Sequence, residues 1–460
     1  MKNILKNNYV LLFIMSILLV ACNSDDSNEV FDEAPANRLT QANEELLNIL
    51  TSNTQGFKAS YFTKNDEFGG VTFFMRFNTD GTVDMTSDFD DDIEIASSSY
   101  EVRVGTTTEL VFTTRNHIQK VSDPLLGGLI GTGFKGTSVF QLFSNEDGEL
   151  EFKDVRNRDT SSFVLEPSGF TDFETESIEM VEASIEQKNN ILPEVTSSVF
   201  QVLRMDNANG TVDFNLNYDT LRLFATPTLT LDSGDLEELS FGIIFTDTGL
   251  NVNPAIEYEG ESYTEFIYDE DSNSFISTVN GTTATILFSD WPAYISNDIY
   301  EMAQIDGGLP IFLYRPGLGA NPLTSAGHDN IIESLDAFLA QFGLSFFDYI
   351  FFFDFDDNGN ICEGLLRVRI NGLPSLNYCF SGATINDDRT FTMSFQGAAD
   401  QDSFDLQFLA QDIIDFFNSS QGMVGELEGS FQSDTFSYIN LAVTFASLED
   451  PSLRVYGLFF

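Results

Sequence analysis

One stretch of the chain reads VTFFMRF over residues 71–77, NTDG over 78–81 and TVDM over 82–85. Two short runs rich in β-branched and aromatic residues, separated by an Asp-Gly turn, are a strong signal for a β-hairpin. Similar turn chemistry recurs at 145–148, 207–210 and 357–359. These repeated hairpins predict a mainly β fold of antiparallel sheets, arranged as sandwiches or as partly closed barrel modules.

Helical patterns are few. Apolar residues recur at helical spacing in four segments, which are 38–51, 175–189, 330–342 and 404–417. Each segment has one apolar stripe, so we expect a few amphipathic helices packed on the sheets.

A chain of 460 residues is long enough for several domains. Changes in composition near Ser168 and in the Gly- and Pro-rich segment 306–327 suggest the boundaries. The sequence predicts a signal peptide over 1–21, a polar tether over 22–36, and β-rich modules over 37–168, 169–320 and 321–460, with two helices in the last.

The N-terminus begins with Lys2 and Lys6 and continues with an apolar run over 9–20. That run is too short to span a bilayer, which takes about 20 residues, and has the length of a signal-peptide core. It ends in LVAC at 19–22, which resembles a bacterial lipoprotein signal. Cys22 would then become the lipidated first residue of the mature protein, carrying palmitate or a similar acyl chain.

The segment NSDDS at 23–27 resembles the acidic tag that sends Bacteroidota lipoproteins to the outer face of the outer membrane. It predicts an outer-membrane protein that faces the cell exterior. A flexible polar tether has a similar composition, so the periplasmic face is the alternative.

Charge is the most unusual property of the composition. There are 72 acidic and 21 basic residues, for a formal net charge of −51. Such a protein repels phosphate backbones, which argues against nucleic acid as a partner. The charge favours cationic partners and divalent metals, and it also suits a saline habitat.

If Cys22 carries lipid, Cys362 and Cys379 remain as an even pair in an oxidising compartment. They flank a segment with the turn-forming pair Asn371 and Gly372. A hairpin there would bring the two cysteines together, so a disulfide is predicted.

The best candidate for a metal site is DFDDNG at 354–359. Asp354, Asp356 and Asn358 have the spacing of a calcium loop, with a glycine at the sharp turn. A full EF-hand would need an acidic residue where Leu365 stands, so a plain hairpin turn is the other interpretation. Four carboxylates at 88–92 form a second cluster, interpreted as an exposed loop or a cation site.

Catalytic signatures are hard to find in the sequence. Its two histidines, His117 and His328, are not close to a nucleophile-elbow motif. Paired carboxylates can hydrolyse glycosides, but 72 acidic residues do not single out a pair.

Several local patterns occur in a characteristic order. They are FDEAPANR at 31–38, GFKASYF at 56–62, FNTDGTV at 77–83, TGL at 248–250 and PAI at 254–256. This order resembles the Bacteroidota lipoproteins known as the domain of unknown function 4302 family. The resemblance implies a surface or periplasmic lipoprotein, often encoded beside outer-membrane uptake systems, and it carries over no catalytic residues.

Together these features predict a lipid-anchored surface protein that acts without catalysis as a binding or accessory component of nutrient capture. Its partners would be the outer membrane, through the anchor, and an outer-membrane transporter or other surface lipoproteins. Two alternatives stay open: a structural or adhesive protein stabilised by Ca²⁺, and a carboxylate-dependent glycan hydrolase.

Overall fold

The computed structural model describes residues 35–146, 148–231, 236–304, 310–353 and 362–460. Within these residues the chain is mainly β, with antiparallel sheets and a few packed helices, so the predicted fold class is confirmed. The strands belong to three sheets, which follow one another along the chain.

The first sheet is a closed barrel in which strands β1 to β8 pair in sequence order and β8 returns to β1. Helix α1 precedes it, and the short helix α2 lies between β5 and β6. The elements are α1 Pro35–Ser52, β1 Phe57–Phe62, β2 Gly70–Phe77, β3 Thr82–Ser87, β4 Ala96–Val104, β5 Thr108–Phe112, α2 His117–Lys120, β6 Val139–Glu146, β7 Glu149–Asp154 and β8 Ser162–Pro167.

Strands β2 and β3 form the predicted hairpin, with Phe77 opposite Val83. Successive side chains of a strand point to opposite sides. Phe73 therefore belongs to the core inside the barrel, whereas its neighbour Phe74 packs outside against Phe170, with ring centroids 5.1 Å apart. Because both faces of β2 are covered, its sequence is an almost continuous apolar run instead of an alternating one.

The second sheet begins after helix α3 and contains nine strands. Strand β10 pairs with β11 as well as with β9, which brings the two ends of the sheet together, and β12 adds to β11. The elements are α3 Phe173–Asn190, β9 Phe200–Asn207, β10 Gly210–Asp219, β11 Phe224–Thr230, β12 Leu236–Glu238, β13 Phe241–Phe245, β14 Gly249–Tyr258, β15 Glu261–Asp269, β16 Ser274–Val279 and β17 Thr282–Ser289.

The barrel and the second sheet share one hydrophobic core. At their junction the backbone N–H of Gly69 donates to the carbonyl oxygen of Arg222 at 2.8 Å. A β-carbon at Gly69 would lie 2.2 Å from the carbonyl oxygen of Leu223 and 2.3 Å from that of Ile243. Only glycine allows the two backbones to approach this closely.

The third sheet has ten strands in the order β22-β23-β25-β26-β27-β18-β19-β20-β21-β24. Its inner face packs on a second large core that includes helices α5 and α7. The elements are α4 Asp298–Met302, β18 Ile311–Tyr314, α5 Ala326–Ala340, β19 Ser345–Phe352, β20 Gly364–Asn371, β21 Leu376–Phe380, β22 Thr384–Ile385, β23 Phe391–Thr392, β24 Phe395–Ala398, α6 Gln401–Asp405, α7 Gln411–Phe417, β25 Met423–Gln432, β26 Ser437–Ser447 and β27 Arg454–Phe459.

The sheets can be compared with the predicted modules. The barrel ends at Pro167, beside the predicted boundary at 168. Strand β18 falls inside the predicted central span of 169–320, yet it pairs with β19 and β27 of the third sheet. The chain therefore enters the third sheet before residue 320.

Three of the four predicted helices appear as α1, α3 and α5. The segment 404–417, predicted as one helix, is instead divided into α6, a 3₁₀ turn at Gln407–Leu409 and α7. The division follows from the backbone at Leu406 and Ala410, which leaves the helical region with φ near −110°. Short turns also satisfy the apolar spacing, so spacing alone did not reveal the two breaks.

Candidate functional site

Some of the predicted site residues lie outside the described part of the chain. These are Cys22, the proposed lipidation site, and the calcium-loop residues Asp354, Asp356 and Asn358. Both assignments stay predictions. Cys362 and Cys379 are described, and they form a disulfide with Cα atoms 5.0 Å apart.

The acidic cluster at 88–92 has partners within the chain. Lys120 Nζ donates to Asp90 at 2.7 Å and to Asp92 at 2.9 Å. These two carboxylates and buried His117 have metal-ligand spacing. However, the ammonium group of Lys120 already supplies the positive charge there, and both ring nitrogens of His117 are hydrogen-bonded. Asp88 is buried, and it accepts hydrogen bonds from Thr72 and Ser184.

The two histidines are structural. His117 Nδ1 lies 3.3 Å from Ser87 Oγ, but both residues are buried, so a substrate has no access to this pair. His328 is buried too, with Nε2 2.9 Å from the hydroxyl of Tyr349. Burial lowers the pKa of His328 to about 3, so it stays neutral at physiological pH.

A large cleft opens where the second sheet meets the third. Its volume is about 870 Å³, within the range of small-molecule sites. We call it the junction cleft. It is lined by Asp66, Glu67, Leu192, Pro193, Val199, Phe200, Gln201, Asn215, Leu216, Asn217, Tyr218, Asp219, Thr220, Leu221, Arg222, Phe224, Thr226, Pro292, Pro322, Leu323, Glu426, Glu428 and Arg454.

Strands β25 to β27 supply the charged wall of the junction cleft. Glu426 and Glu428 are two positions apart on β25, and both line the cleft. Glu426 is opposite Thr444 on β26, and Ala446 on β26 is opposite Arg454 on β27. Because the middle strand carries small side chains on this face, the two glutamates and the arginine border an open space.

The two glutamates are half-buried, and their charge is poorly compensated. Burial, followed by the charge of Glu428, raises the pKa of Glu426 to about 7. Burial also raises the pKa of Glu428, although Thr444 Oγ1 donates to its carboxylate at 2.8 Å. Among the described residues, Glu426 has neither a hydrogen-bond donor nor an ion-pair partner within 4 Å. A half-buried carboxyl group near neutral pKa in a cleft is typical of a functional site.

Arg454 is held in place by the backbone. Its Nε donates to the carbonyl oxygen of Leu323 at 2.7 Å. The guanidinium is close enough to both glutamates to lower their pKa values, but it forms no ion pair with either of them. Among the described residues its terminal nitrogens have no hydrogen-bond partner, so their donors are available to a ligand.

The opposite wall comes from the second sheet and is mostly apolar, with Phe200, Leu216 and Phe224. Its amide groups differ in availability. Asn215 is fully used, bonding the backbone of Ala293 and Tyr294. Asn217 is exposed and has no hydrogen-bond partner among the described residues, so its side chain can reach a ligand.

The other charged groups around the cleft are already paired. Glu67 forms ion pairs with Lys64 and Lys135, and Asp219 lies 2.9 Å from Arg222. The uncompensated charge of the junction cleft is therefore concentrated on Glu426, Glu428 and Arg454.

This site was not predicted from the sequence, although two signals were present. The alternation Glu426-Leu427-Glu428 places two carboxylates on one face of an apolar strand. Arg454 is a cation at the start of the strand RVYGLF, in a chain with only 21 basic residues. Neither signal reveals that the residues meet, because their proximity depends on the order of strands in the third sheet.

The described fold is an antiparallel β protein of three successive sheets, with a ligand-sized cleft between the second and the third. The chain belongs to the family described as Domain of unknown function (DUF4302), whose model matches residues 27–270, more than half of the chain. The match spans the barrel and most of the second sheet, the two parts that share a core.

Other comparisons add little. No curated protein matches the chain. A crystal structure of a protein of unknown function from the DUF3598 family of Nostoc punctiforme is similar at 10% identity, covering 59% of this chain and 97% of that one. Its TM-score of 0.14 is too low to indicate a shared fold. No helix in the described part of the chain combines the length and apolarity needed to cross a bilayer.

Proposed function

We propose that this protein is a lipid-anchored, non-catalytic binding component of nutrient capture at the outer membrane, and that it holds its ligand in the junction cleft. The observation that carries the proposal is the cleft itself. It offers about 870 Å³ between two sheets, with one mostly apolar wall, one charged wall and a few polar groups that have no partner among the described residues. This combination is the usual composition of a small-molecule site.

The anchor is the second part of the proposal. The lipoprotein-like segment that ends at Cys22 supports attachment by acyl chains, and the acidic residues after it support the exterior face of the membrane. A captured ligand would then be passed to an outer-membrane transporter. Metabolic labelling with palmitate tests the anchor: label is expected in the wild type and lost in Cys22→Ala. Cleavage by protease added to intact cells distinguishes the exterior face from the periplasmic one.

Thermal melts test the binding role. The purified protein is heated alone and with neutral oligosaccharides, amino acids, short peptides or haem. A ligand at about 100 times its Kd stabilises a folded protein by ~2.7 kcal/mol, which is a measurable shift in Tm. We expect at least one class to raise the Tm of the wild type.

A blocking variant places the ligand. Asn217→Trp fills the junction cleft from an exposed strand position and is expected to abolish the ligand-induced shift. Glu265→Trp is the matched control, because Glu265 is also exposed on a strand of the second sheet but does not line the cleft. An equal shift in both variants would overturn the assignment of the cleft.

A carboxylate-dependent glycan hydrolase is the second candidate, and one observation favours it. The pKa of Glu426 is raised to about 7 beside a second carboxyl group, Glu428. Glycoside hydrolysis needs a carboxylic acid that is still protonated near neutral pH and a second, ionised carboxylate. Incubation with oligosaccharides decides between the candidates: the binding proposal expects no new reducing ends, whereas release that is lost in Glu426→Gln would support hydrolysis.

A further inference from the structure

We infer that the ligand of the junction cleft carries a primary ammonium group held by Glu426 and Glu428, together with an acceptor group for Arg454, as in an α-amino acid or a short peptide. This inference rests on the proposed function and specifies the chemistry of its ligand. It follows from which charges in the cleft are satisfied by the protein and which are not.

The carboxylates of Glu426 and Glu428 have few partners within the protein. Glu426 accepts no hydrogen bond among the described residues, and Glu428 accepts one, from the hydroxyl of Thr444. Asp298 adds a third negative charge nearby, and it accepts from the backbone N–H of Leu427. Among the described residues, these two carboxyl groups therefore have no ion-pair partner within 4 Å, and an ammonium group with three donors matches them.

Arg454 is the cation at this wall of the junction cleft. Arg454 Nε donates to the carbonyl oxygen of Leu323, and its guanidinium forms no ion pair with Glu426 or Glu428 within 4 Å. A ligand carboxylate or carbonyl can accept from the terminal nitrogens in the forked geometry that guanidinium favours. One wall therefore offers donors from Arg454 and acceptors from Glu426 and Glu428. A ligand with both an ammonium group and an acceptor group matches this wall.

The electrostatic field of the protein also acts on a ligand in the cleft. A net charge of −51 attracts cations to the surface and raises their local concentration in a cleft. A neutral sugar gains nothing from this field, and it would leave Glu426 and Glu428 without compensation. A zwitterion gains little from the net charge of the whole protein, but its ammonium group gains from the local field of Glu426 and Glu428.

Calorimetric titration tests the inference on the mature chain, beginning at Cys22 and purified in detergent. The probes are triglycine, triglycine amide, N-acetyl-triglycine amide and the neutral sugar maltotriose. Triglycine has no net charge, so unspecific attraction to the acidic surface is small. We expect triglycine and triglycine amide to bind, and N-acetyl-triglycine amide, which differs from triglycine amide only in lacking the ammonium group, to bind about tenfold more weakly than triglycine amide or worse.

Proton release is an independent readout. An ammonium group beside Glu426 lowers the pKa of this carboxyl group from its raised value near 7, so triglycine binding at pH 7 should release part of a proton. Titration in two buffers of different ionisation enthalpy measures this release. A neutral ligand in the same cleft would release none.

Variants assign the two ends of the ligand. Glu426→Gln is expected to weaken triglycine about tenfold and to abolish the proton release. Arg454→Gln is expected to weaken the binding of triglycine more than the binding of triglycine amide. Only triglycine has a carboxylate, which would lose Arg454 as its partner. The control Glu265→Gln removes an exposed carboxylate outside the cleft and should bind like the wild type.

The outcomes separate the two proposals. Binding of maltotriose that Asn217→Trp abolishes, without binding of triglycine, would overturn the ammonium inference and support a ligand site in the cleft. Equal affinity for triglycine amide and N-acetyl-triglycine amide would also overturn the inference. Failure of both triglycine and maltotriose to bind would count against the inference and the proposed function together.

Discussion

Arg454 and Glu426 face the same cleft from strands β27 and β25, yet they form no ion pair within 4 Å. The arginine bonds the backbone of Leu323 instead. An arginine and a glutamate left apart on one sheet face keep their hydrogen-bonding capacity for a third group. Because of this separation, Arg454 and Glu426 are candidates for ligand binding and do not form a structural ion pair.

Replacing Glu426 should change stability in a pH-dependent way. In the folded protein the pKa of Glu426 is about 7, against an ordinary value of 4.5 in the unfolded chain. The folded state therefore binds the proton more tightly. The contribution of this group to stability is complete below about pH 4.5 and is lost as the pH rises towards 7.

Glu426→Gln cannot ionise, so at pH 8 its free energy of unfolding in urea should exceed that of the wild type by about 1–3 kcal/mol. At pH 5 the two proteins should have nearly the same free energy of unfolding. Glu265→Gln should follow the wild type at both pH values. A Glu426→Gln variant less stable than the wild type at pH 8 would contradict the uncompensated charge.

Removing the arginine should raise the pKa of Glu426 further, because the charge of Arg454 lowers it. Arg454→Gln deletes that charge while keeping a polar side chain. Titration of ¹³C-labelled glutamate by NMR, with Glu426→Gln to assign the signal, measures the change. An unchanged pKa would show that the two groups do not interact across the cleft.

Gly69 should not tolerate a side chain. In Gly69→Ala the new β-carbon would lie 2.2 Å from the carbonyl oxygen of Leu223, between the barrel and the second sheet. We expect a loss of about 2 kcal/mol or more in the free energy of unfolding, as for other overpacked sites. Gly127→Ala is the control, since no atom lies within 4 Å of its new β-carbon. Equal melting temperatures for the two variants would refute the close contact.

We expect calcium to stabilise the protein through the loop at 354–359 and not through the cluster at Asp90 and Asp92. The reason is that Lys120 already compensates the charge of that cluster. Melts with calcium and with EDTA measure the effect. Any calcium-dependent rise in Tm is expected to vanish in Asp354→Asn and to persist in Asp90→Asn. The reverse pattern would place the ion at Asp90.

The hairpins could be predicted from the sequence because their signals are local. The turn at 78–81 and the runs on either side lie within 15 residues, and turn type alone sets their pairing. The same holds for the hairpin between β9 and β10, whose turn begins at Asn207. Helices α1 and α3 were predictable for the same reason, since an apolar stripe is a property of neighbouring residues.

The cleft could not be predicted, because its parts are far apart in the sequence. Asn217 and Glu426 belong to different sheets, and Arg454 lies on the same cleft wall as Glu426 only because β26 brings β25 and β27 into one sheet. The strand β18 shows the same limit. Its four residues look like part of the central module, but long-range pairing with β27 assigns them to the third sheet.

We expect a ligand to occupy the junction cleft between Glu426 and Arg454. A crystal structure of the protein grown with the ligand found in the melts, or with triglycine, shows whether it does. We expect electron density in the cleft, with an ammonium group at Glu426 and Glu428 and an acceptor at Arg454. Ligand density at another surface, with the cleft holding only water, would contradict the proposed site.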